Sequence, residues 1–252
     1  MNMYMIIHIG KCGGSNIVKK FRENHNLYVI NINHLNDYKK KIPNKIKNGK
    51  YIISYHCGSQ KNKKLTNLLK DNNIAILIRD PITRFISIFF HYYRSYTKGV
   101  LDKSYYYIYE RFKTPNQLAE ALNSENLNDK KIALSAFRVI THLRYDFNYY
   151  LGKDRINYIH NNNNKVFIIR QEYYKNDFKL YYDYIIKKLN LENRFDKFFS
   201  DIKNNTDEYK NLKNLSEKAI SNLKKKMISD YIILDELCKY NFISKEYLNS
   251  LT

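Results

Sequence analysis

Apolar residues along this chain come in short unbroken runs rather than in strict alternation with polar ones. Runs of strand length stand at "YMIIHI" (4–9), "LYVINI" (27–32), "YIISY" (51–55), "IAILI" (74–78) and "VFIIR" (166–170). Each is rich in Ile, Val or Tyr and is bounded by Asn, Gly, Lys or Asp. Unbroken runs of this kind predict strands covered on both faces. Between them the spacing changes to that of helices, predicted over Ser15–Glu23 and Lys64–Lys70. "PITRFISIFFHYYRS" puts Pro81 in a first helical turn, with Phe85, Ile88, Phe89 and Tyr92 at i, i+3, i+4 and i+7. That stripe reads as core packing.

From about residue 100 to 164 the pattern is mostly helical and ends in an "NNNN" turn at 161–164. After the last strand, "DFKLYYDYIIKKL" is helical, and "LSEKAISNLKKKMISDYIILDELCKY" reads as one long helix with Ser216 near its start. A short "ISKEYL" helix closes the chain. The alternation predicts an α/β fold with a mainly parallel central sheet, right-handed crossovers, flanking helices and a helical C-terminal part. No internal repeat or long linker interrupts it, so a single domain over 1–252 is expected. The Lys- and Asn-rich stretches at 36–50 and 203–214 read as exposed loops.

Composition narrows this picture. The chain has 252 residues, enough for one substantial core, and its 44% hydrophobic content excludes a disordered protein. Lys and Arg outnumber Asp and Glu by 44 to 24, a formal charge of +20. A solvated lysine coat accounts for most of that charge, which still leaves polyanionic partners as candidates. The cysteines Cys12, Cys57 and Cys238 form no CxxC pair and no metal-ligand spacing. Their odd number argues against a disulfide framework and for a reducing compartment. There is no signal-peptide pattern and no run near ~20 apolar residues, so a soluble cytoplasmic protein without a membrane span is expected.

The chemistry begins where the first strand empties into "GKCGGSN" (10–16). Glycines let a backbone approach an oxyanion, and successive N–H groups at a helix start point toward it. Lys11 adds a full positive charge, and Ser15 and Asn16 add side-chain hydrogen bonds. The nucleoside-triphosphatase pattern G-x-x-x-x-G-K-[ST] is absent, because the lysine precedes the glycine pair. A second segment, "LIRDPITRFIS" (77–87), sets a strand end, Arg79-Asp80-Pro81, and a helix carrying Arg84 and Ser87. Asp80 can cap the helix that Pro81 begins, and Arg84 reads as a surface or ion-pairing arginine.

Together "IHIGKCGGSN" and "LIRDPITRFIS" resemble the two signature segments of sulfotransferases that use 3′-phosphoadenosine 5′-phosphosulfate (PAPS). The resemblance covers the first hundred residues, the expected PAPS-binding core, with 101–252 on the acceptor side and in closing helices. It implies a P-loop-kinase-like sandwich in which Lys11, Cys12, Gly13, Gly14, Ser15 and Asn16 hold the 5′-phosphosulfate. Arg79 and Ser87 would then hold the 3′-phosphate. The departures are Gly10 where the family has proline and Cys12 where it has threonine; Cys12 lacks the hydroxyl but keeps a backbone N–H.

Sulfuryl transfer needs a base for the acceptor hydroxyl and a cation for charge on the leaving oxygen. The resemblance gives Lys11 the second task. His56, at the tip of "YIISYH", resembles the base of the glycan 2-O-sulfotransferase branch, with Ser54 replacing an earlier histidine. A neutral imidazole, of ordinary pKa near 6.5, can take that proton. His91 is a second candidate base, Glu172 in "VFIIRQEYY" reads as structural, and His8 as a satisfied strand histidine. Arg138, His142, Arg144 and Tyr145 are unranked candidates for adenine or acceptor contacts. No metal is expected. The implied reaction takes PAPS to adenosine 3′,5′-bisphosphate, with a hydroxyl acceptor on a carbohydrate and no nucleic acid. A nucleotide kinase of the same fold and a non-catalytic basic module that binds polyanions are the competing readings.

Overall fold

A computed structural model describes residues 4–25, 27–32, 51–56, 58, 69–70, 72–162, 165–200 and 214–251. Five strands, β1 (Tyr4–Ile7), β2 (Tyr28–Ile32), β3 (Tyr51–Tyr55), β4 (Asn73–Ile78) and β5 (Val166–Arg170), make one all-parallel sheet in the order β2-β3-β1-β4-β5. All five apolar runs of the sequence are strands. Met5, Ile6, Ile7, Ile52, Ile53 and Ile74 through Ile78 are sealed from solvent, as strands covered on both faces require.

Register sets the edge that matters. Ile7 and Ile32 both pair with Tyr55, so β1, β2 and β3 end level with one another. β4 runs two residues past its partner Ile7, carrying Arg79 beyond that line. The sheet also switches direction at β1: β2 lies on one side beyond β3, and β4 and β5 on the other. A crevice at the carboxyl ends of strands, at such a switch, is the ordinary ligand position in open α/β sheets.

The chain forms two compact units. The first contains the sheet, the segment from Phe147 and the part from Ile233 onward. Here α1 (Gly14–His25) leads from β1 to β2, two residues longer at its end than the sequence spacing predicts. A helix over Tyr174–Leu189 follows β5, and its rings pack against α1, with Phe21 at 5.8 Å from Phe178 and 6.1 Å from Tyr182.

The second unit holds Asp80–Asp146 and the segment ending at Ile232. Its helix α2 (Pro81–Thr97) starts as predicted, with Pro81 in the first turn and the Asp80 carboxylate accepting from the Thr83 N–H at 2.7 Å. Phe85, Ile88 and Phe89 enter a core with Phe137, Tyr109, Leu118 and Leu223. Of the two readings of Arg84 the ion-pairing one holds and the surface one does not: it is fully buried, donates to the carbonyls of His142 and Tyr145 at 2.8 Å each, and pairs with Asp230 at 3.5 Å.

The long C-terminal helix of the sequence reading is two helices, Glu217–Lys226 and Ile228–Lys239, broken at Met227 and capped at the start by Ser216. A final helix covers Lys245–Asn249. Cys57, the loop expectations at 36–50 and 203–213, and most of the Lys64–Lys70 helix lie outside the described residues. Among the described residues no helix is long and apolar enough to cross a membrane.

Candidate functional site

The loop after β1 is tightly folded. The His8 N–H continues the sheet by donating to the Tyr55 carbonyl at 2.8 Å, and the Cys12 and Asn16 N–H groups close turns onto Ile9 and Gly13 at 3.2 Å each. Lys11 (φ 69°) and Gly13 (φ 90°) take left-handed backbone conformations, which glycine adopts freely and lysine only at a cost. A Cβ at Gly13 would collide with the Gln171 amide, and one at Gly14 with the His8 ring. Among the described residues the N–H groups of Gly13, Gly14 and Ser15 have no protein acceptor. Three consecutive donors at a left-handed turn that opens a helix form an anion nest.

The sequence candidates divide within this loop. Cys12 is fully buried, with its sulfur 4.0 Å from the Gly10 carbonyl and its N–H spent on Ile9, so it shapes the turn from inside. Lys11 is half-buried, and the Ser15 and Asn16 side chains are exposed. Arg79, half-buried at the end of β4, donates to the Lys11 carbonyl at 3.4 Å and so ties the two strand tips together.

His56 stands at the tip of β3, its N–H donating to the Ile32 carbonyl at 2.9 Å. Its ring nitrogen Nδ1 bonds the His8 carbonyl. A carbonyl can only accept, so Nδ1 carries the proton and Nε2 of the neutral ring carries the lone pair. The ring centre lies 4.6 Å from that of His8 and 5.4 Å from that of Tyr150. A cavity of about 450 Å³ opens here, lined by His8, Ser15, Asn31, Ser54, His56 and the flank of α1 from Val18 to Glu23. Asn31 and Ser54 are paired neighbours in β2 and β3, polar side chains in otherwise apolar strands.

Lys11, Gly13, Gly14, Ser15, His56 and Arg79 therefore share one edge of the first unit's sheet. Ser87 is half-buried on α2, in the second unit. Glu172 has the structural task expected of it, accepting from the Tyr247 hydroxyl at 3.0 Å. His91 is exposed and stacks on the His142 ring at 5.9 Å; Arg144 covers its neighbour Tyr145. Among the described residues no group of three or more His, Cys, Asp or Glu could hold a metal.

Two residues at the site escaped the sequence reading. Gln171, just past β5, rests its amide on Gly13, and its Oε1 is buried without a hydrogen-bond partner among the described residues. Arg155 is buried behind His56. The available signal for Arg155 was its spacing, four residues before Ile159 on the apolar face of its helix. Comparison with family models, with curated proteins and with solved structures finds no match to this chain.

Proposed function

We propose that this protein is a PAPS-dependent sulfotransferase acting on a hydroxyl group, with carbohydrates as the acceptor class, in the cytoplasm. The observation that carries the proposal is the Arg79–Lys11 hydrogen bond, which brings the two motif-bearing strand tips to one edge. A ribose phosphorylated at both its 3′ and 5′ positions needs two cationic grips close to one another, and a nest of N–H donors with Lys11 suits its 5′ side. Arg79 has the planar fork that suits the 3′-phosphate.

In the proposed reaction the acceptor oxygen attacks sulfur as the bond from sulfur to the phosphate oxygen breaks. His56 Nε2 takes the acceptor proton, and the Lys11 ammonium offsets the charge that grows on the departing oxygen. The Nδ1–H bond to the His8 carbonyl supports this role, because it leaves the basic nitrogen as Nε2. The loop's lack of a lysine followed by Ser or Thr speaks against a kinase.

Thermal unfolding tests the reading. Adenosine 3′,5′-bisphosphate is expected to stabilise the protein, by about 2.7 kcal/mol at a hundredfold excess over its Kd, and Mg-ATP to leave it unchanged. Transfer of label from PAPS to a panel of sugars then identifies the acceptor, and His56→Ala abolishes turnover while bisphosphate still binds. Stabilisation by Mg-ATP alone would replace the proposal with a kinase, and a response to neither nucleotide would remove it.

A further inference from the structure

His56 is held from behind. Arg155, on the helix Gly152–Asn161, is only 2% exposed although its neighbours Lys153 and Asp154 face solvent. One terminal nitrogen donates to the Tyr150 carbonyl and the other to the Tyr55 hydroxyl at 3.0 Å. Its guanidinium carbon stands 5.0 Å from the centre of the Tyr55 ring. Tyr55 is the residue before His56 in β3, and Tyr150 is the residue whose ring meets the imidazole. Both tyrosines are buried.

A buried guanidinium is costly unless it is well bonded, so its presence on the apolar face of this helix, beside the buried Ile156 and Ile159, calls for a task. Two of its partners are the strand end that carries His56 and the backbone of the aromatic that packs on it. The geometry points to Arg155 as a positioning residue: by pinning Tyr55 and Tyr150 together it holds the His56 ring where Nδ1–H meets the His8 carbonyl and Nε2 is presented as the base. The catalytic consequence rests on the sulfotransferase reading; the ring orientation does not.

The test follows the tautomer of His56 by nitrogen NMR on the full chain labelled in its histidines, with His56→Gln to assign the signal. The wild-type ring is expected as the Nδ1–H form. Arg155→Met should turn it into a mixture with the Nε2–H form, and Arg155→Lys should recover part of the original signal. Turnover in Arg155→Met should fall about 10–100-fold, the range for partners that orient a functional group, with bisphosphate affinity within about twofold. Tyr55→Phe removes only a hydroxyl and decides the matter should Arg155→Met not fold; it is expected to move the tautomer the same way, less far. An unchanged His56 signal in both Arg155→Met and Tyr55→Phe would overturn the inference, whatever the activity. A shifted tautomer in a protein that transfers no sulfuryl group would uphold the positioning role and sink the sulfotransferase reading instead.

Discussion

Arg84, in the helical unit, has no exposed surface, shares one nitrogen between two carbonyls and sets another on Asp230. Arg79, five positions earlier in the same motif and at the tip of a strand in the sheet unit, is half-buried and leans on a loop carbonyl at 3.4 Å. The helical unit satisfies its charge from within, using Asp230 and the backbone carbonyls of His142 and Tyr145. The sheet unit does the reverse at its edge. There, among the described residues, it leaves three N–H donors without acceptors, turns Lys11 into a left-handed conformation and clears side-chain volume at two glycines. Donors satisfied by the protein stabilise the fold; donors left at an edge are suited to something outside it.

The largest effect should separate the two arginines. Arg84→Met leaves Asp230 buried without its cation and is expected to cost about 3–5 kcal/mol in urea unfolding. Arg79→Ala is expected to change stability by about 0.5 kcal/mol while weakening adenosine 3′,5′-bisphosphate about 10- to 100-fold, the worth of one charged hydrogen bond. Equal destabilisation by the two substitutions would erase the contrast. A subtler probe is Lys11→Gly. Removing the side chain relieves the left-handed backbone and should stabilise the unliganded protein by about 0.5–1 kcal/mol, while sulfuryl transfer is lost. Lower stability in that variant would mean that Lys11 serves the fold.

The smallest effect concerns acid. Burial, and next the nearby Arg194, hold the His25 pKa below its ordinary value of 6.5, beside Tyr182 at 2.8 Å. The unfolded chain therefore takes up this proton at a higher pH than the folded one. The stability it contributes is full above pH 6.5 and is lost as pH falls through the lower, folded value. Urea midpoints measured from pH 7.5 to 5 should decline, and His25→Gln should flatten part of that decline. An identical slope in the variant would assign the acid sensitivity elsewhere.

Much of this was legible in the sequence because burial on both faces leaves an unmistakable mark. The five strands are mostly apolar, with Asn31 and Ser54 as polar interior positions, and Asp80-Pro81 announces a helix start by cap and ring alone. The turn at 10–16 was legible because glycines between a strand and a helix announce a tight backbone, and Gly13 takes the left-handed conformation that glycine adopts freely. What the pattern could not carry were partnerships across long separations. An ion pair for Arg84 could be read from its type but not its partner Asp230, and Arg155 looks like a surface residue until Tyr55 is set beside it. The strand order, which takes β2 past β3 to the edge, is written in no local spacing. The break at Met227 was hidden because apolar residues continue on both sides of it, Leu223 before and Ile233 and Leu234 after.

The pairing of β4 with β5 has a consequence for biosynthesis. These strands are hydrogen-bonded along their length, yet all of Asp80–Asp146 is translated between them. On the ribosome β4 must wait with one edge bare until Arg170 has cleared the exit tunnel. That delay makes closure of the sheet a late, long-range step, and it makes the nascent chain most vulnerable to wrong partners just before its last strand arrives.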